Sequence, residues 1–95
     1  MTTDEPGMVL YWRPGCTYCM KLRFRLAFTR LRYTKVNIWR DPDAAAFVRS
    51  VANGNETVPT VTIGGRAMVN PSLEQVLEAA EELAPHLLAP AHPAK

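Results

Sequence analysis

Cys16 and Cys19 are the only two cysteines in this 95-residue chain, and they stand three positions apart. Two cysteines placed at random in such a length would meet that spacing only about 2% of the time, so the pair reads as a working Cys-X-X-Cys unit. Thiols at this spacing either exchange with disulfides or supply half of a metal site. Exchange requires one sulfur to be a ready thiolate. The pair follows the apolar run Met8-Val9-Leu10-Tyr11-Trp12, which reads as a strand, and the breaker cluster Arg13-Pro14-Gly15. A helix starting here puts Cys16 at its N-terminus, where unpaired N–H groups and the dipole stabilise an anion. A free thiol titrates near ~8.5, and such sites bring it to about 3.5–7.5. Cys16 is therefore the expected nucleophile. Cys19, on the same helix face and one turn deeper, is the expected resolving thiol, placed to attack a mixed disulfide formed on Cys16.

Other residues can assist. Arg13 can set a cation near the thiolate or a bound anion, or simply meet water. Tyr18, inside the motif, is expected to line the site. Trp12 and Trp39 are expected to pack in the core or at its rim. Val58-Pro59 stands just before a strand, and an X-Pro bond is open to either isomer; a sharp turn there would leave the Val58 backbone free to pair with a substrate.

The elements that must position these residues follow from the hydrophobic pattern. From Thr17, the row Met20, Phe24, Ala27, Phe28 and Leu31 predicts a first helix with that row as its apolar face. Tyr33 to Trp39, with Val36 and Ile38 alternating, predicts a second strand. Asp41-Pro42-Asp43 supplies the cap and first turn of a helix through about Val51. Val61 and Ile63 mark a third strand, Gly64-Gly65 a hairpin, and Ala67 to Val69 the returning strand. Asn70-Pro71-Ser72 opens a last helix bearing Leu73, Val76, Leu77, Ala80, Leu83 and Ala84. The order βαβαββα predicts an α/β domain: a four-stranded mixed sheet flanked by helices, with the cysteine loop at the C-terminal end of a central strand. Residues 1–7 read as an N-terminal segment, 8–84 as the domain, and the proline- and alanine-rich 85–95 as a loose tail.

Composition narrows the function classes. No apolar run approaches the roughly 18 residues needed to span a bilayer, and the first residues lack the basic start and apolar core of a secretory signal. A cytoplasmic protein is expected, and a lone close cysteine pair there suits catalysis or metal binding better than a structural staple. The net charge of +2 is unevenly spread: residues 1–40 carry eight Lys/Arg against two Asp/Glu, and residues 41–95 carry three against seven. That asymmetry suits an anionic partner surface or a solvated helix face, but no nucleic-acid motif accompanies it. Nothing demands a dimer, and a monomer is expected.

Trp12-Arg13-Pro14-Gly15-Cys16-Thr17-Tyr18-Cys19, together with Thr57-Val58-Pro59 and Gly64-Gly65, resembles the glutaredoxin family over roughly residues 8–84. The resemblance implies a thioredoxin/glutaredoxin fold, a cis Pro59 beside the dithiol, and a Val58 backbone offered to the ligand. Glutathione-using members usually follow the second hairpin strand with Gly-Gly and an acidic residue, which receive the γ-glutamyl end of glutathione. Here that stretch is Val69-Asn70-Pro71-Ser72. Residues 43–48 and 53–60 are similar to the middle segment of the actinobacterial mycoredoxins. That branch implies reduction of protein–mycothiol mixed disulfides, with mycothiol as co-substrate recycled by an NADPH-dependent mycothione reductase and no bound cofactor.

Three rival readings define the alternatives. Zinc needs about four ligands, and beyond the cysteines only His86 and His92 are at hand, both in the expected tail. An iron–sulfur carrier would use Cys16 with an external thiol at a dimer interface. A redoxin donating electrons to ribonucleotide reductase, fed by thioredoxin reductase, would use the same dithiol; its usual aromatic and arginine-containing segment before the last helix is not seen near Asn70-Pro71.

Overall fold

A computed structural model describes residues 7–87. Strand β1 (Met8–Trp12) leads into helix α1 (Thr17–Leu26), β2 (Thr34–Asn37), α2 (Pro42–Val51), the hairpin β3 (Thr60–Ile63) and β4 (Arg66–Val69), and α3 (Leu73–Leu83). This is the expected βαβαββα order. The sheet runs β2-β1-β3-β4, with β1 and β2 parallel and the β1–β3 and β3–β4 pairs antiparallel. Gly64 and Gly65 both take positive φ, 54° and 90°, as a tight hairpin turn between twisted strands requires.

Two apolar clusters sandwich the sheet. One joins Leu10, Val61 and Ile63 to Leu22 and Leu26 of α1 and Val76, Ala79 and Ala80 of α3. The other joins Ala44, Ala45 and Val48 of α2 to Ile38, Val58 and both cysteines, with Tyr11 stacked 5.3 Å from Phe47. Because side chains alternate across a strand, β1 serves both layers and is buried as a central strand.

Helix starts follow their caps. Asp41 Oδ1 accepts the Ala44 N–H at 3.0 Å, and the Ser72 hydroxyl and Gln75 amide form a reciprocal capping box on α3.

The structure departs from the sequence pattern in four places. First, α1 buries Cys19, Leu22 and Leu26, whereas Met20, Phe24 and Phe28 are 50%, 67% and 77% exposed. The helix carries two adjacent apolar rows, and only the one continuous with Cys19 can face the sheet. Second, α1 stops at Leu26, where the Thr29 hydroxyl donates to the Leu26 carbonyl and accepts from the Leu31 N–H. Third, β2 ends at Asn37 because its side chain accepts the Trp39 N–H at 2.9 Å, turning Ile38–Arg40 into a single 3₁₀ turn with Ile38 still buried. Fourth, the first three residues of the expected tail, 85–87, are packed against the domain. Pro85–Leu87 form a 3₁₀ turn, Leu87 is buried in the first cluster, and its carbonyl accepts the Arg32 N–H. The rest of that tail, 88–95, and residues 1–6 lie outside the described residues.

Candidate active site

The chain leaves β1 at Trp12 and turns through Arg13-Pro14-Gly15; Gly15 has φ 83°, which a side chain would disfavour. Cys16 is then the N-cap of α1 in extended conformation. Its sulfur accepts the Cys19 N–H at 3.2 Å and, as a thiol, donates to the Val58 carbonyl at 3.6 Å. An N–H aimed at Sγ from the first turn favours negative charge on that sulfur. The Cys19 sulfur lies in the same apolar cluster, one turn deeper. It is fully buried, and burial, aided by its hydrogen bond with Cys16, pushes its thiol up to about 12; the backbone of Arg13 opposes the shift. The two cysteines are both free thiols.

The Val58 carbonyl is held by its own turn. The Val58–Pro59 peptide is cis, Pro59 is buried, and the Thr60 hydroxyl donates to the Thr57 carbonyl at 2.8 Å. The antiparallel register pairs Tyr11 with Thr60, which brings this turn beside the end of β1 and hence beside Cys16.

A groove of about 290 Å³ borders the site, lined by Tyr18, Lys21, Arg25, Asn70, Ser72 and Gln75 among others. Pro59 and Pro71 form part of its wall. Asn70 takes φ 52°, and its N–H donates to the Pro59 carbonyl at 2.7 Å, tying the start of α3 to the cis turn. Arg13 places its guanidinium 5.9 Å from the Trp39 ring, and Trp39 is 63% exposed, so this pair stands at the surface and does not line the groove. Trp12 is half-buried with Arg23 stacked 4.9 Å from its ring.

The glutaredoxin family profile matches residues 8–68. Two glutaredoxins of Mycobacterium tuberculosis, from strains CDC 1551 and H37Rv, are each 40% identical over 71 residues, 74% of this chain and 84% of theirs. The chain belongs to the glutaredoxin family. It is a thiol–disulfide oxidoreductase, and its sequence relatives are actinobacterial. Solved structures agree on the thioredoxin/glutaredoxin fold. NrdH-redoxin of Escherichia coli superposes with TM-score 0.64 at 20% identity, covering 93% of this chain and 97% of that one. A buckwheat glutaredoxin–glutathione complex superposes with TM-score 0.59 at 24% identity, covering 86% and 76%.

Of the residues singled out by sequence, the fold gathers Cys16, Cys19, Tyr18, Val58 and Pro59 at one place. Arg13 stands at the surface, stacked on Trp39. Asn70, Pro71 and Ser72 come from the stretch singled out at the glutathione position, whereas Lys21, Arg25 and Gln75 were not anticipated as groove residues. The spacing Tyr18, Lys21, Arg25 at i, i+3, i+7 is a helical row and is the signal that points to two of them. Among the described residues, no three His, Cys, Asp or Glu side chains gather as a metal would need, and no helix is long and apolar enough to cross a membrane.

Proposed function

We propose that this protein reduces mixed disulfides between proteins and mycothiol in the cytoplasm, acting as a monomer with Cys16 as nucleophile. The Cys16 thiolate attacks the mycothiol sulfur, the protein substrate leaves as a thiolate that takes up a proton, and a Cys16–mycothiol disulfide remains. A second mycothiol, as thiolate, attacks that adduct, releasing Cys16 and oxidised mycothiol, which mycothione reductase returns to the thiol with NADPH. Cys19 provides the other exit. It gives up its proton as it attacks Sγ of Cys16, and the expelled mycothiol thiolate takes up that proton. Two further mycothiols reopen the resulting internal disulfide and leave as oxidised mycothiol. Burial keeps Cys19 protonated until its attack, so it does not compete as the first nucleophile.

The observation that carries the choice of thiol is the groove wall at Asn70-Pro71. The Asn70 N–H is spent on the Pro59 carbonyl, and Pro71 has no N–H, so this turn has neither donor to give to a γ-glutamyl carboxylate. Lys21, Arg25, Asn70, Ser72 and Gln75 instead offer side-chain hydrogen-bonding groups, which suit a hydroxyl-rich pseudodisaccharide. The actinobacterial origin of the relatives supports the same reading.

The test is a coupled NADPH assay on one protein mixed disulfide, run with mycothiol and its reductase, with glutathione and its reductase, and with thioredoxin reductase. Two missing charge-assisted hydrogen bonds, each worth about 1.5–3 kcal/mol, weaken productive glutathione use by at least roughly a hundredfold. The mycothiol couple is expected to give the higher kcat/KM. Equal performance with glutathione would refute mycothiol preference, and fastest turnover with thioredoxin reductase would favour the ribonucleotide reductase donor. A visible absorption band after anaerobic purification would favour the iron–sulfur carrier.

A further inference from the structure

Three of the exposed large apolar side chains among the described residues form an outward row along α1 and the turn after it, which the exchange site leaves unused. Met20, Phe24 and Phe28 are all exposed, and the rings of Phe24 and Phe28 meet edge to face at 5.1 Å. Beside them is a shallow hollow of about 360 Å³ between α1 and β2, lined by Met20, Arg23, Phe24, Ala27, Tyr33 and Lys35. Arg23 is held in place by its stacking on Trp12 and a 3.7 Å contact with the Met20 sulfur. The lining of this hollow holds two cations, Arg23 and Lys35, and no acid, within a stretch, residues 6–40, that contains eight Lys/Arg and no Asp or Glu.

We infer that this face docks the protein half of the substrate, through a segment that places apolar side chains on Met20, Phe24 and Phe28 and carboxylates on Arg23 and Lys35. The inference rests on disulfide exchange with protein substrates. Charge complementarity selects the occupant. A second copy meeting this face on its own image would set Arg23 and Lys35 against like charges, whereas an acidic segment neutralises them. Position gives the face its use. Phe24 lies about 12 Å along the helix from Cys16, so a protein seated there holds its disulfide over the nucleophile. The row lies apart from the groove for the small thiol, so the two halves of a mixed disulfide have separate sites.

The probes are two synthetic peptides, each with one cysteine in mixed disulfide with 2-mercaptoethanol. One carries a Leu-Phe pair flanked by glutamates, and its twin has lysines for the glutamates. The disulfide of 2-mercaptoethanol is the small substrate, and mycothiol with its NADPH-dependent reductase supplies the electrons in every assay. Wild type is expected to show kcat/KM at least about tenfold higher for the acidic peptide, the gap closing as NaCl is raised. Arg23→Glu with Lys35→Glu should reverse the preference. Phe24→Ser with Phe28→Ser should raise KM for the acidic peptide and leave turnover of the small disulfide unchanged. Equal wild-type kcat/KM for the two peptides would overturn the docking face while leaving exchange intact. Failure to turn over any of the three disulfides would remove the exchange reading itself. Loss in the Phe24→Ser, Phe28→Ser variant of a wild-type dimer seen by sedimentation, or of wild-type binding to phosphatidylserine vesicles, would reassign the face to a second copy or to a membrane.

Discussion

Cys16 and Cys19 share a motif and a helix, yet their sulfurs meet different surroundings. Both lie in the second apolar cluster, but Cys16 accepts an N–H from the first turn, stands against the Val58 carbonyl and keeps 6% of its surface exposed, whereas Cys19 is fully enclosed. With its thiol pushed up to about 12 by burial, Cys19 stays protonated at neutral pH. Cys16→Ser should therefore abolish disulfide reduction, and Cys19→Ser should keep a measurable part of it on mixed disulfides, since an external thiol can replace the resolving sulfur. Iodoacetamide at pH 7 should label one thiol in wild type and none in Cys16→Ser, read by mass spectrometry. Labelling lost only in Cys19→Ser would exchange the two roles. The same shift predicts a pH effect on stability. The folded state holds the Cys19 proton more tightly than the unfolded chain, whose thiol titrates in the ordinary range of about 8.5–9. The contribution is thus complete below about pH 9 and declines as pH rises toward 12. Alkaline destabilisation across that window should be shallower in Cys19→Ala, as measured by urea midpoints.

At the scale of the element, α1 presents two apolar rows to its surroundings, and the sheet takes only one. Leu22 and Leu26 pack against Leu10, Val61 and Ile63 of β1 and β3, Cys19 packs in the second cluster beside Val58, and Met20, Phe24 and Phe28 face outward. The orientation follows from the end of β1: once Cys16 and Cys19 lie against the Val58 turn, every later residue of the helix has its direction. Leu26→Ala should cost about 2–5 kcal/mol, because it leaves a cavity in the first cluster. Phe24→Ser should stay within about 0.5 kcal/mol of wild type, despite removing the larger side chain. Urea denaturation of the two variants checks this directly; comparable losses would mean that the outward row is buried in solution.

For the whole molecule, the sheet edge and the last helix close tightly on one another. An added Cβ at Gly64 would lie 3.0 Å from the Leu83 Cβ, and Gly64 also has φ 54°. Gly64→Ala should therefore cost about 1–3 kcal/mol, through strain at a positive φ and a clash between two side-chain carbons. In a domain of this size that lowers Tm by roughly 4–8 °C for each kcal/mol. Thermal unfolding matching wild type would mean that the hairpin shifts freely against α3. Charge is also organised at this scale, with the cations ahead of residue 41 and the acids of α3 behind it. The segment that carries the dithiol is consequently the one that attracts anionic partners.

Features set by neighbours along the chain were legible in the sequence. The breaker cluster before Cys16, the caps at Asp41 and Ser72, the Gly64-Gly65 hairpin and the order of elements all depend on residues within a few positions of each other. The dithiol at a strand-to-helix junction was readable for the same reason. Where α1 and β2 stop was less so, because a single side chain, Thr29 or Asn37, ends each one against an otherwise continuing pattern. Tertiary structure alone decided the rest. Periodicity shows that α1 has apolar rows, but the sheet selects between them. The contact of Cys16 with Val58 spans 42 positions, and Leu87 joins the core from beyond the last long helix. The groove likewise joins Tyr18, Lys21 and Arg25 to Asn70, Ser72 and Gln75, segments that meet only because β1 and β3 pair and α3 folds back beside them. Local sequence specifies what each segment can be; which surfaces meet depends on how all of them pack around one sheet.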